Sequence, residues 1–180
     1  MLGAQPYKGH TDQESGARLT IETPHHEIHE GGSFCVCEAF ELDTGVDREY
    51  LLVTPDTAKR IHMVISVLGS LDVDMDLYEE TTLADGTGIT ARNRNRNASD
   101  SAALVVTHTP TGSGDGNLLA ATKIGSAAGG GPLGGAGGEA LARAEWLLKQ
   151  NESYLLRVTS GSDGNRISLS LDWYEHTAGG

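Results

Sequence analysis

Three histidines and two glutamates fall between residues 25 and 30, in the string Pro24-His25-His26-Glu27-Ile28-His29-Glu30-Gly31. Imidazole and carboxylate suit zinc, manganese and iron, so His25, His26 and His29 are candidate ligands for a divalent metal. The string is not H-E-x-x-H: Glu27 follows His26, but the next histidine comes only two positions later. On an extended chain His25, Glu27 and His29 would share one face. A catalytic metal needs three converging ligands and an open position, so a remote residue such as His62 or His108 would have to join. Without one, the segment reads as a polar lead-in to a strand, with Glu30-Gly31-Gly32 as the turn. The expectation is no resident metal and no cofactor.

A second constellation is Arg92-Asn93-Arg94-Asn95-Arg96-Asn97. Arginine presents a planar fork that matches carboxylates, so Arg92, Arg94 and Arg96 are candidate contacts for acidic side chains of a partner. The competing reading is a solvated loop whose asparagines cap their own turns. Nucleic acid would call for aromatic residues to stack on bases, and none lies between residues 79 and 145. Asp72, Asp74 and Asp76 lack the glycine and the closing glutamate of a calcium loop and read as a solvated strand face. No G-x-S-x-G occurs, and the glycine run at 129–138 lacks the Lys-Ser/Thr ending of a phosphate loop. Cys35 and Cys37, one residue apart on a strand, would bridge poorly and read as two small buried apolar side chains. No catalytic residue is expected, and the protein reads as a non-enzyme.

Composition narrows the partners. The chain has 180 residues, with 13 Lys and Arg against 25 Asp and Glu, a formal charge of −12. That charge repels phosphate backbones and anionic membrane surfaces. No apolar run approaches the length of a membrane span. The first residues lack the apolar core of a secretory signal, which predicts a cytoplasmic start.

The elements that must position these residues are mostly strands. Residues 1–24 read as an extended arm and 25–178 as one sandwich domain, with a flexible glycine-rich loop at 125–140. Arg18 to Ile21 is a candidate short strand. Ser33 to Leu42 carries Phe34, Val36, Phe40 and Leu42 in one phase, broken by Glu38. Glu49 to Thr54 follows. Arg60 to Leu68 is apolar on both faces and reads as central. Leu71 to Tyr78 alternates Val73, Met75 and Leu77 with three aspartates, and it reads as a hairpin with 60–68. Ala102 to Thr109 is a strand. Leu118 to Ile124 and Ala142 to Lys149 are each strand or short helix. Ser153 to Thr159 and Arg166 to Tyr174 read as a hairpin through Gly161-Ser162-Asp163-Gly164-Asn165. Eight to ten short strands and almost no helix predict an all-β antiparallel sandwich with a jelly roll as the leading topology.

Several segments in this order resemble a known group. They are Ile28 to Phe34, Leu51 to Thr57, Leu77 to Thr82, Gly86 to Asn97, Glu145 to Ser160 and Leu169 to His176. They resemble the small decoration, or cement, proteins of tailed-bacteriophage capsids over roughly residues 25–176. The resemblance implies a β-sandwich that sits outside an assembled head and clamps neighbouring major capsid subunits, without catalysis. It implies assembly in the host cytoplasm and a place on the virion exterior, as a homotrimer or homodimer. The arm, with Gln5 and Tyr7, is the expected segment to cross onto a neighbour. A tail, fibre or carbohydrate-binding virion protein is the alternative, and a cupin-like metal enzyme a more distant one.

Overall fold

The computed structural model describes residues 23–125 and 145–177. The candidate strand at 18–21, Gln5 and Tyr7 of the arm, and nearly all of the glycine-rich loop lie outside these residues. The described part holds one helix, α1 (Thr23–Glu30), and eleven strands. These are β1 (Ser33–Leu42), β2 (Asp47–Val53), β3 (Lys59–Gly69), β4 (Val73–Glu79), β5 (Thr87–Ile89), β6 (Arg92–Asn93), β7 (Val105–His108), β8 (Asn117–Ile124), β9 (Trp146–Leu148), β10 (Ser153–Ser160) and β11 (Asn165–Thr177).

Two antiparallel sheets pack face to face, with strand orders β6-β1-β11-β3-β9 and β5-β7-β2-β10-β4-β8. Without β5, β6 and β7, the eight remaining strands stand in jelly-roll order, β1-β11-β3-β9 against β2-β10-β4-β8. The three extra strands belong to an excursion, residues 80–116, that leaves β4 and returns at β8. It adds β6 beside β1 in one sheet, and β7 with β5 beside β2 in the other.

Period-2 alternation builds the core. Phe34 and Val36 of β1, Ile61, Met63, Ile65 and Val67 of β3, and Ile167, Leu169, Leu171 and Trp173 of β11 face Tyr50, Leu52, Val73, Met75, Leu77, Tyr154, Leu156 and Val158 of the other sheet. Glu38, which breaks the apolar phase of β1, turns inward with its neighbours. Its Oε2 accepts from Tyr50 Oη at 2.7 Å and from Arg48 Nη2 at 3.0 Å, both from the facing sheet. Burial, then the bond to Glu38, pushes the Tyr50 phenol above its ordinary range. Glu175 continues the inward phase of β11 beyond Trp173. Its fully buried carboxylate takes N–H groups from Ala103, Leu104 and Trp173 Nε1, with Lys59 Nζ 3.5 Å away.

Three sequence expectations are corrected here. Segments 60–68 and 71–78 do not form a hairpin: β3 pairs β11 and β9, whereas β4 pairs β10 and β8 in the opposite sheet. The turn at 161–164 likewise joins strands of different sheets, since β10 pairs β2 and β4 while β11 pairs β1 and β3. Each tight turn arches across the sandwich instead of reversing within one sheet. β3 is not central either. It is the last long strand of its sheet, flanked outside only by the three residues of β9.

The arches are joined to one another. Asn165, with no exposed surface, accepts from Leu71 N at 2.9 Å and Ser70 Oγ at 3.2 Å and donates Nδ2 to Asp72 O at 2.7 Å. Thr44 N donates to Asp163 Oδ1 at 2.9 Å, and Gly164 N donates to Asp43 Oδ1 at 3.1 Å. Gly45 and Gly164 adopt φ of 73° and 61°, the left-handed region these two turns require. Asn165→Ala is expected to lower the unfolding free energy by about 3 kcal/mol, because it strands buried partners in a second arch. Urea denaturation should show this as a lower midpoint at unchanged slope.

Candidate functional site

The outer faces of the two sheets differ. On the six-stranded sheet, Leu51 of β2 and Leu155 of β10 point away from the intersheet core, yet they are only 4% and 0% exposed. The excursion straps this face. Thr81 N donates to Ser153 O at 3.2 Å, and Asp115 holds Arg157 of β10 through two bonds of 2.7 Å. Arg157 also donates Nε to Glu49 at 2.8 Å, and its guanidinium lies 5.5 Å from the Tyr78 ring centroid. The bond from Arg157 holds the Asp115 carboxyl below its ordinary range, and the same bond raises Arg157.

Among the described residues, no segment covers the outer face of the five-stranded sheet. Its floor is made of small side chains: Cys35, Cys37 and Ala39 on β1, Ser168 and Ser170 on β11, Ser66 on β3. A shallow depression of about 340 Å³ lies over all of these but Cys35, bordered by Leu68, which is 42% exposed. The cysteines belong to this surface. Cys37 is exposed and Cys35 half-buried, both as free thiols, because Phe34 and Val36 claim the core side of β1. The expectation that both are buried is therefore corrected. Burial and then the neighbouring Cys37 push the Cys35 thiol above its ordinary range, the opposite of an activated nucleophile.

One end of the open face carries a group of rings. His62 of β3 stacks on Tyr174 of β11 with centroids 4.5 Å apart and 11° between planes, and His176 lies 4.8 Å from His62. Glu145 bonds to His62 Nδ1 and accepts from Tyr174 Oη at 2.7 Å. Desolvation alone would raise the Glu145 pKa. The bonds from Tyr174 and His62 outweigh it and hold the carboxyl below its usual range. Burial and the Glu145 contact push the Tyr174 phenol upward. A phenol held protonated on a carboxylate positions rings; it does not supply a base.

The arginine loop lies along the β6 rim of this face. Arg94 pairs with Asp172 of β11, Arg96 donates to Asn93 O at 3.3 Å, and Arg92 is exposed. The asparagines act as turn caps: Asn95 N bonds to Asn93 Oδ1 at 2.9 Å and Asn97 N to Asn95 Oδ1 at 3.0 Å. They also hold α1. Asn93 Nδ2 donates to Gly31 O at 2.8 Å and Asn95 Nδ2 to His29 O at 3.0 Å.

The histidine string is a helix, not the expected extended lead-in, and this corrects the shared face of His25, Glu27 and His29. The 3.6-residue period puts His25 and His29 side by side and turns Glu27 toward Gly32. His26 lies 3.9 Å from Glu30. Neither His62 nor His108 joins the string, and among the described residues no three metal-binding side chains converge. Asp74 bonds to Lys123 at 2.6 and 2.7 Å, in keeping with a solvated strand face.

Sequence reasoning missed the rings, the Arg157–Asp115 clasp and Glu175. Extending the alternation of β11 by one more step would have placed Glu175 inside. The ring group needs the β3–β11 register, which pairs His62 with Tyr174. Comparison of the chain with models of protein families, with curated proteins and with solved structures finds no match.

The clasp gives a pH test. The folded-state pKa of Asp115 lies below the unfolded value, so its contribution is complete above about pH 4 and is lost as pH falls through the folded-state value. Arg157→Met is expected to destabilise the protein at pH 7 and to differ less from the parent at about pH 3. Urea titrations of both proteins at the two pH values measure this. An equal difference at both would mean that the pair contributes nothing.

Proposed function

We propose that this protein is a virion structural protein of the capsid-decoration kind. It docks on the outside of a phage head and clamps neighbouring major capsid subunits. The observation that carries this reading is the asymmetry of the sandwich. One outer face is strapped by the chain's own excursion, and the other presents a flat floor of small side chains rimmed by arginines.

The physical case follows from that face. The three long strands of this sheet, β1, β3 and β11, run 10 to 13 residues. At about 3.4 Å per residue and about 4.8 Å between strands they give an area of about 550 Å², below the roughly 800 Å² that one partner contributes to a standard interface, so docking also draws on the rim. Small side chains let a facing surface approach closely without ordering long ones. A charge of −12 keeps the free protein soluble before it docks. Arg92 and Arg96 supply a local opposite charge at the rim for capsid carboxylates. A repeated capsid surface multiplies weak contacts through avidity, most of all for a dimer or trimer.

A second reading, a carbohydrate-binding tail or fibre component, draws on the His62–Tyr174–His176 rings on the same face. Sugars pack on such surfaces through their apolar faces.

Binding to undecorated phage heads, measured by sedimentation and imaged by cryo-electron microscopy, tests the first reading. Saturation at a fixed copy number per capsomer is expected. Ala39→Arg combined with Ser168→Arg, neighbours on the open face, should cut binding at least tenfold without shifting the melting temperature. Val105→Arg, exposed on the other sheet, should leave it unchanged. Full occupancy by the open-face variant would overturn this docking mode. Glycan binding lost in Tyr174→Ala would move the weight to the second reading. Replacing Arg92, Arg94 and Arg96 with Ser should also weaken docking and flatten its salt dependence.

A further inference from the structure

His25 and His29 stand one turn apart on α1, and their Nε2 atoms lie 3.1 Å apart. The rings meet edge to face, with 67° between planes, and the two Nε2 atoms share a hydrogen bond that a bound ion would replace. We propose that this pair is a bidentate binding site for a divalent first-row transition metal, copper(II) above all. The separation fits chelation: two nitrogens each about 2.05 Å from one ion lie 3.1 Å apart when the N–metal–N angle is about 98°. That angle falls between the square-planar and tetrahedral values.

The helix that carries the pair is held in place. Asn95 bonds to the His29 carbonyl and Asn93 to the Gly31 carbonyl, so the last turn of α1 is fixed by a neighbouring loop. A pre-formed pair loses little freedom on binding an ion. Both rings are exposed, which leaves the other coordination positions to water or to a donor from a second molecule. No third described ligand joins them. Imidazole nitrogen suits copper, nickel and zinc, and affinity for one site rises from nickel to copper and falls again at zinc. A bound ion bridging one turn also stabilises α1 by mass action.

Isothermal titration of the full chain with copper(II), nickel(II) and zinc(II) chloride, each alone, tests the site. One copper ion per chain is expected, bound more tightly than nickel or zinc. His25→Ala and His29→Ala should each weaken copper binding at least tenfold, and His26→Ala should leave it unchanged. Alanine favours the helix, so neither variant loses α1 for want of propensity. Circular dichroism checks that the fold is kept. Electron paramagnetic resonance of the copper form should report two imidazole nitrogens in the parent and at most one in each alanine variant. Absence of saturable binding, or copper binding that both variants keep, overturns the proposal.

Discussion

A single buried amide ties the sandwich together at one end. Asn165 opens β11, yet its side chain serves the arch between β3 and β4. Two chain crossings, distant in sequence, therefore fix each other's geometry. Main-chain groups at such turns have no ladder to join, and burying them unpaired would be costly. The asparagine offers both an acceptor and a donor, so one residue satisfies Leu71 N and Asp72 O together. The position of β11 depends on this, and β11 is the strand on which both faces of its sheet are built. Its inward side supplies Trp173 and Glu175; its outward side supplies Asp172, Tyr174 and His176.

Polar groups inside the sandwich act in a similar way. Glu38 joins the sheets through Tyr50 and Arg48, and Glu175 gathers the N–H groups of Ala103 and Leu104 from the excursion. Each carboxylate reaches across to a segment that apolar contact alone would leave free to slide. The excursion is held from two sides, by Glu175 inside and by Arg157 on the outer face. That double hold is what closes the outer face of the six-stranded sheet.

Much of the strand content was legible in the chain. Alternation located β1 to the residue, and the phases of β4 and β11 named their buried side chains correctly. What alternation does not carry is the identity of the partner strand. Gly69-Ser70 and Gly161 to Asn165 announce that the chain turns, but an arch and a hairpin use the same residue types. The choice was made by long-range pairing, with β11 taken by β1 and β3. The helix at His25 to His29 was hidden because its sequence is polar and short, and its clearest support comes from Asn93 and Asn95, far along the chain. Cys35 and Cys37 were misplaced because residue type was weighed above phase, although Phe34 and Val36 had already claimed the inner side.

The edges of the two sheets have a consequence for crowding. Among the described residues, three of the four edge strands, β5, β6 and β9, are two or three residues long, too short to template an added strand. The fourth, β8, runs eight residues, but it carries Lys123 and faces a register shift at Leu77/Tyr78. A charge and an irregular ladder both discourage edge-to-edge joining. Molecules of this kind can be packed at high local density without running together into continuous sheets, and contact between copies is steered toward faces and loops.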